Sequence, residues 1–112
     1  MLEVREKHVH GHKVIAPIGS LTSHDVPDLQ QRLVEALVGS PTIILNLSEL
    51  TYISSAGVAL FVKIGNRARA LGGALRLAHP QRTVRETLAI LHLDSHELIF
   101  QVFATVEEAL KS

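Results

Sequence analysis

Hydrophobic and polar positions along this chain alternate between two rhythms, a period of two in short runs and a period near 3.6 in longer ones. Leu2 to Val9 and Lys13 to Ile18 flank His10-Gly11-His12 and read as two strands joined by a tight turn, an antiparallel hairpin. Gly19 to His24 reads as a loop, and Asp25-Val26-Pro27-Asp28 opens a helix, with acids in its first turn and a proline where the missing N–H is harmless. Val26, Leu29, Leu33, Ala36 and Leu37 then recur at helical spacing until Gly39-Ser40-Pro41 stops the pattern, leaving Gln30, Gln31, Arg32 and Glu35 outside.

Thr42 to Leu47 is a nearly continuous apolar run rich in β-branched residues, as expected of a strand covered on both faces. Ser48-Glu49-Leu50-Thr51 reads as a polar connector, and a second helix starts near Ser54. At about 100° per residue, Gly57, Leu60, Phe61, Ile64, Ala68 and Leu71 form its core stripe. Gly72-Gly73 stops that helix before a short strand, Ala74 to Ala78. Pro80 opens a third helix with Val84, Leu88 and Leu91 inward and Arg82, Arg85 and Glu86 outward. His92 to His96 is a connector, Leu98 to Phe103 a last strand, and Thr105-Val106-Glu107-Glu108 a capping box leading a short terminal helix that carries Ala109 and Leu110. The order is β-β-α-β-α-β-α-β-α. It predicts one α/β domain over residues 1–112, a mixed sheet of about five strands with about four helices, its parallel strands joined by right-handed crossovers.

Composition narrows the function. With 46% hydrophobic and 20% charged residues and no cysteine, the chain has the make-up of an ordinary cytosolic domain that uses neither disulfides nor thiol chemistry. No exported leader and no membrane span is expected. Eleven basic and eleven acidic side chains cancel, and aromatics are scarce at 4%, which argues against nucleic acid and leaves protein contact as the expected mode of action. His8, His10 and His12 alternate, but Gly11 breaks the strand geometry and neither Cys nor an acidic triad adjoins them, so no metal ligands are assigned. No Gly-rich loop with a lysine is present, so no bound nucleotide or other cofactor is expected.

The stretch that draws attention is Tyr52-Ile53-Ser54-Ser55-Ala56-Gly57-Val58, where an apolar strand gives way to two hydroxyls and a helix. On the helical wheel Ser55 lies opposite the core stripe, and Val58, Ala59 and Val62 share its outward direction, which predicts a docking strip for a partner. A helix start carries unsatisfied N–H groups and the positive end of the dipole, so it tolerates a phosphate on serine. Such a phosphate would oppose a partner by desolvation and repulsion. Ser54 or Ser55 as a simple N-cap is the alternative reading. In an open sheet of this type, sites fall beyond the carboxyl ends of the strands, which is where both serines stand.

With this order of elements, Leu47 to Val58 resembles the STAS domain, in particular the anti-sigma factor antagonists of bacteria. Gly19-Ser20-Leu21-Thr22, Ala70-Leu71-Gly72-Gly73 and Phe103 to Leu110 carry the resemblance across residues 3 to 111. It implies a non-enzymatic partner switch that binds an anti-sigma factor with serine kinase activity. Phosphorylation would release that partner, and a PP2C-type phosphatase would reset the switch. The implied phosphoacceptor, two positions before the motif glycine, is Ser55, with Ser54 as second candidate; Thr22, Ser54, Ser55, Ala56, Val58, Ala59 and Val62 would meet the partner. Ser54 and Thr22 stand where many members carry acids. An unphosphorylated STAS scaffold in a larger signalling or lipid-transport complex is the alternative. A serine hydrolase is not expected, since Ser55 lacks the G-x-S-x-G elbow and nothing pairs it with His24, His79 or His92.

Overall fold

The computed structural model describes residues 2–90 and 100–112. Along the chain run β1 (Glu3–Val9), β2 (His12–Leu21), α1 (Val26–Gly39), β3 (Ile43–Asn46), β4 (Leu50–Ile53), α2 (Ser55–Ala70), β5 (Leu75–Ala78), α3 (Arg82–Ile90), β6 (Phe100–Phe103) and α4 (Val106–Lys111). The expected Leu91 on the third helix, the connector His92 to His96, and Leu98 and Ile99 at the head of the last strand lie outside the described residues.

The hairpin forms because His10 and Gly11 both take positive φ, 52° and 80°, the geometry that matches a two-residue turn to the twist of its strands. Val9 then pairs directly with His12 and His8 with Lys13, so His8 and His12 fall on opposite faces of the ribbon. From β2 the sheet grows in parallel: β2 on β3, β3 on β5 and β5 on β6, in the order β1-β2-β3-β5-β6, with β4 pairing β2 off that path.

Alternation along the strands divides the core in two. Ile15, Ile43, Leu45, Leu75 and Leu77 pack with Leu29, Leu33, Ala36 and Leu37 of α1, with Leu60, Phe61, Ile64 and Ala68 of α2, and with Val84 and Leu88 of α3. The intervening residues Val14, Ile44 and Ala78 turn to the other face, where Ala109 of α4 covers them. Arg76, also on that face, donates from Nη1 to the carbonyl of Ala109 at 2.9 Å and ties the terminal helix down. Thr105 caps α4 by accepting from the Glu108 N–H, the half of the expected capping box that fixes the start of the helix.

Three expectations are corrected. Leu50–Ile53 is a strand, not part of a connector, and β2 runs on to Leu21, because Gly19, Ser20 and Leu21 gain a second parallel partner in Leu50, Tyr52 and Ile53. Four residues with only Leu50 and Ile53 buried are too short to show a period. Leu71 is 55% exposed, not core. It is the C-cap of α2, and Gly72 at φ 85° turns the chain away from the sheet just after it.

Gly73 serves a different purpose from Gly72. A Cβ there would fall on the backbone carbonyl of Pro41, whose oxygen accepts the Ala74 N–H as β5 begins. Backbone cannot rotate out of the way as a side chain can. Gly73→Ala should therefore cost about 3 kcal/mol or more, whereas Gly72→Ala, which meets nothing within 4 Å and suffers only from its φ, should cost about 1 kcal/mol. Urea unfolding of the two variants measures the difference.

Candidate functional site

The two strand ends Leu21 and Ile53 lie side by side, and the chain leaves both at the same edge of the sheet. The Ser54 N–H donates to the Leu21 carbonyl at 2.9 Å, so Ser54 continues the ladder by one bond before the helix begins. Its φ of −81° and ψ of 167° are extended, and its Oγ accepts the Gly57 N–H at 3.1 Å, which makes it the N-cap of α2. Ser55 is the first helical residue and is exposed. Among the described residues nothing hydrogen-bonds its hydroxyl. The sequence left open which serine caps the helix; in the structure Ser54 is used by the fold and Ser55 is presented to solvent.

Gly57 lets the helix sit this close. A Cβ on it would stand 2.8 Å from Cγ1 of Ile53 and 2.9 Å from Cγ of Leu21, both side chains being buried. The first turn of α2 carries no acidic residue, so no side-chain carboxylate of its own offsets the positive end of the helix dipole beside Ser55.

The expected docking strip is corrected at Val58 and Val62. Val58 is 2% exposed and belongs to the main core, and Val62 is half-buried against that core. The cause is the setting of α2, which rests on the sheet and also packs against α1, so its buried arc takes in Gly57, Val58, Leu60, Phe61, Ile64, Gly65 and Ala68 instead of one narrow stripe. What remains at the surface around Ser55 is Ala59, half of Ala56, and, two residues before the cap, Tyr52 with 52% exposure.

Thr22, the residue after Leu21, is half-buried beside this helix start. Its N–H donates to Asp25 Oδ2 at 3.1 Å and its Oγ1 donates to the same oxygen at 2.8 Å. The Asp25 N–H in turn donates to the Thr22 carbonyl at 3.0 Å, which closes the loop into a clasp ahead of α1. The two bonds from Thr22, first its backbone and then its side chain, hold the Asp25 carboxyl below the ordinary carboxylate range. The helical pattern marks Asp25 only as a first-turn acid; the Thr-x-x-Asp spacing, that of a capping box, is the sequence signal of the clasp. On the far side of the site, α3 is tied to β4 through Thr83 Oγ1 donating to the Thr51 carbonyl at 3.1 Å.

The comparisons with known proteins agree on the fold in which this helix start sits. The family model for the STAS domain matches residues 3–109. The chain belongs to the STAS domain family. Among solved STAS structures, the anti-sigma factor antagonist SpoIIAA in its unphosphorylated form is 27% identical, with 97% of this chain and 94% of that one covered and a TM-score of 0.81. The Bacillus cell fate determinant SpoIIAA in the phosphorylated form is 25% identical, covering 99% and 97%, with a TM-score of 0.72. An anti-sigma factor antagonist from Mycobacterium paratuberculosis superimposes with a TM-score of 0.87 at 18% identity, over 99% of this chain and 92% of that one, a likeness of fold.

Two outcomes follow from the packing and the clasp. Gly57→Ala gains roughly 0.5–1 kcal/mol of helix propensity but overpacks two buried side chains at a typical cost of about 1–3 kcal/mol, so a net loss of about 1–2 kcal/mol is expected in urea unfolding. The Asp25 carboxyl is depressed in the folded state, so its contribution is fully present above the unfolded value and is lost below about pH 4, as pH falls through the folded one. The stability difference between wild type and Asp25→Asn should accordingly shrink on acidification from pH 7 to 3, read from urea midpoints across that range.

Proposed function

We propose that this STAS domain is a cytoplasmic anti-sigma factor antagonist, a non-enzymatic binding module switched by phosphorylation at Ser55. The observation that carries the reading is the division of labour at the helix start: Ser54 is the cap and Ser55 the exposed hydroxyl. Likeness at 27% and 25% identity to SpoIIAA in its two phosphorylation forms supports the same assignment. In this reading the unphosphorylated chain sequesters an anti-sigma factor that is also a serine kinase. The kinase phosphorylates Ser55 and leaves, and a PP2C-type phosphatase restores the hydroxyl.

The contact surface in this reading is the exposed Ser55 and Ala59 with the half-buried Thr22, Ser54 and Ala56 beside them and Tyr52 at its margin; Val58 lies in the core, and Val62 contributes only its uncovered part. Small residues around a hydroxyl allow a partner to approach closely and exclude water. A phosphate there adds about −1.5 to −2 charge. The N-terminal dipole of α2 stabilises that charge by roughly 0.3–1 kcal/mol, so the fold accepts it while the partner does not.

The test is to incubate the protein with an anti-sigma factor kinase and ATP, locate phosphate by mass spectrometry, and titrate the same partner against Ser55→Ala and Ser55→Asp. Phosphate on Ser55, persistent binding by Ser55→Ala and at least tenfold weaker binding by Ser55→Asp are expected. Unchanged affinity of Ser55→Asp would instead mark a constitutive interaction subunit, and phosphate confined to sites away from Ser54 and Ser55 would refute the switch.

A further inference from the structure

We infer that the end of the domain opposite Ser55 is a docking surface for a bilayer containing anionic phospholipid, which leaves the two serines directed away from the membrane. Topology gathers this end. The β1–β2 turn at His10-Gly11 lies at the start of β2, and Lys13 pairs with Ile43 at the start of β3. The Ala74 N–H donates to the Pro41 carbonyl at 3.2 Å, so the chain leaving α1 meets the chain leaving α2. On the other face of the sheet Val9 and Leu110 pack on one apolar cluster, which brings the end of α4 alongside the hairpin. Ser55 stands at the far end of the 16-residue α2, about 24 Å away along the helix.

Two properties of this end match a membrane surface. Val38 is 87% exposed and Leu71 55%, aliphatic side chains held out of the core on two adjoining helix ends. Among the described residues the charge around them is basic. Arg67, Arg69 and Lys111 occupy the last turns of α2 and α4, where the helix dipole alone favours cations. The run Lys7 to Lys13 serves no helix, carries two lysines and three histidines, and contains no acid. Glu6 is shared by Lys13 at 3.7 Å and Arg32 at 3.5 Å, and Glu35 near the end of α1 offsets part of the remainder. At the Ser55 end stand Asp25, Asp28, Glu107 and Glu108, with Arg85 and with Arg82 paired to Glu86. A chain with no net charge thus presents one end that attracts anionic headgroups, with aliphatic side chains to enter their interface. A soluble polyanion would meet the same cations but would offer Val38 and Leu71 nothing to enter, which favours the bilayer.

Co-sedimentation of the whole chain with vesicles tests the inference, using phosphatidylcholine alone and an equal mixture of phosphatidylcholine and phosphatidylglycerol. Binding at least about tenfold tighter to the mixed vesicles is expected, most of it lost at about 0.5 M salt. Lys7→Gln combined with Lys111→Gln should weaken it about fivefold or more, and Val38→Ser combined with Leu71→Ser about threefold or more. Arg85→Gln, at the Ser55 end, should leave it unchanged. All these positions are exposed, so the variants keep the fold, which urea unfolding checks. Equal binding to both kinds of vesicle, or a loss in Arg85→Gln as large as in the lysine pair, would overturn the inference. Binding to heparin with none to vesicles would overturn it too, by marking a soluble polyanion as the partner. None of these results bears on the Ser55 titrations, which judge the switch separately.

Discussion

The close approach of Gly57 to Leu21 and Ile53 is the constraint on which the site depends. Without a Cβ at that position, the first turn of α2 settles directly on the ends of two parallel strands. Ser54 can then bond backward to Leu21 through its N–H and forward to the Gly57 N–H through its hydroxyl. A larger residue would press on Ile53 and Leu21 and lift the helix start from the strand ends. One missing methyl group therefore fixes the relation between the helix start, the strand ends and the loop that follows β2.

Elements with a strong period were legible in the sequence. The stripes of α1 and α3, the apolar run of β3, the hairpin turn and the Thr105 cap all follow from spacing and from residues with a single structural use. β4 was not, because a four-residue strand covered at its two ends and open at its two middle positions has no alternation to detect. Its existence depends on β2 offering a free edge at Gly19 to Leu21, which is a fact of tertiary pairing. Leu71 failed for the opposite reason. It keeps the helical period but lies where the helix has ended.

The site was legible in its location and partly misread in its surface. A wheel treats a helix as having one neighbour, whereas α2 has the sheet beneath it and α1 beside it. That second neighbour moves Val58 into the core and half covers Val62. The surface left around Ser55 is smaller and less apolar than the sequence pattern implied, so in the proposed docking role specificity would lean on shape and charge more than on buried area. Thr22 follows the strand end to which Ser54 bonds, and its own bond to Asp25 depends on a loop conformation that composition does not reveal.

Separation of the two serines explains how a site can be modified without threatening the fold. Removing or altering an N-cap hydroxyl typically costs about 0.5–2 kcal/mol, a sizeable share of the roughly 5–15 kcal/mol that holds a domain together. Were Ser54 the modified residue, each cycle of modification would disturb the bond to Gly57 and with it the seating of α2 on Leu21 and Ile53. Ser55 carries no such duty. Its hydroxyl projects from the first turn into solvent, near N–H groups that the helix leaves without internal partners, so added negative charge meets a favourable field from the fold and an unfavourable one from any surface docked against it. In the proposed switch the same position is neutral to folding and decisive for binding, and the asymmetry arises from a shift of one residue along the helix.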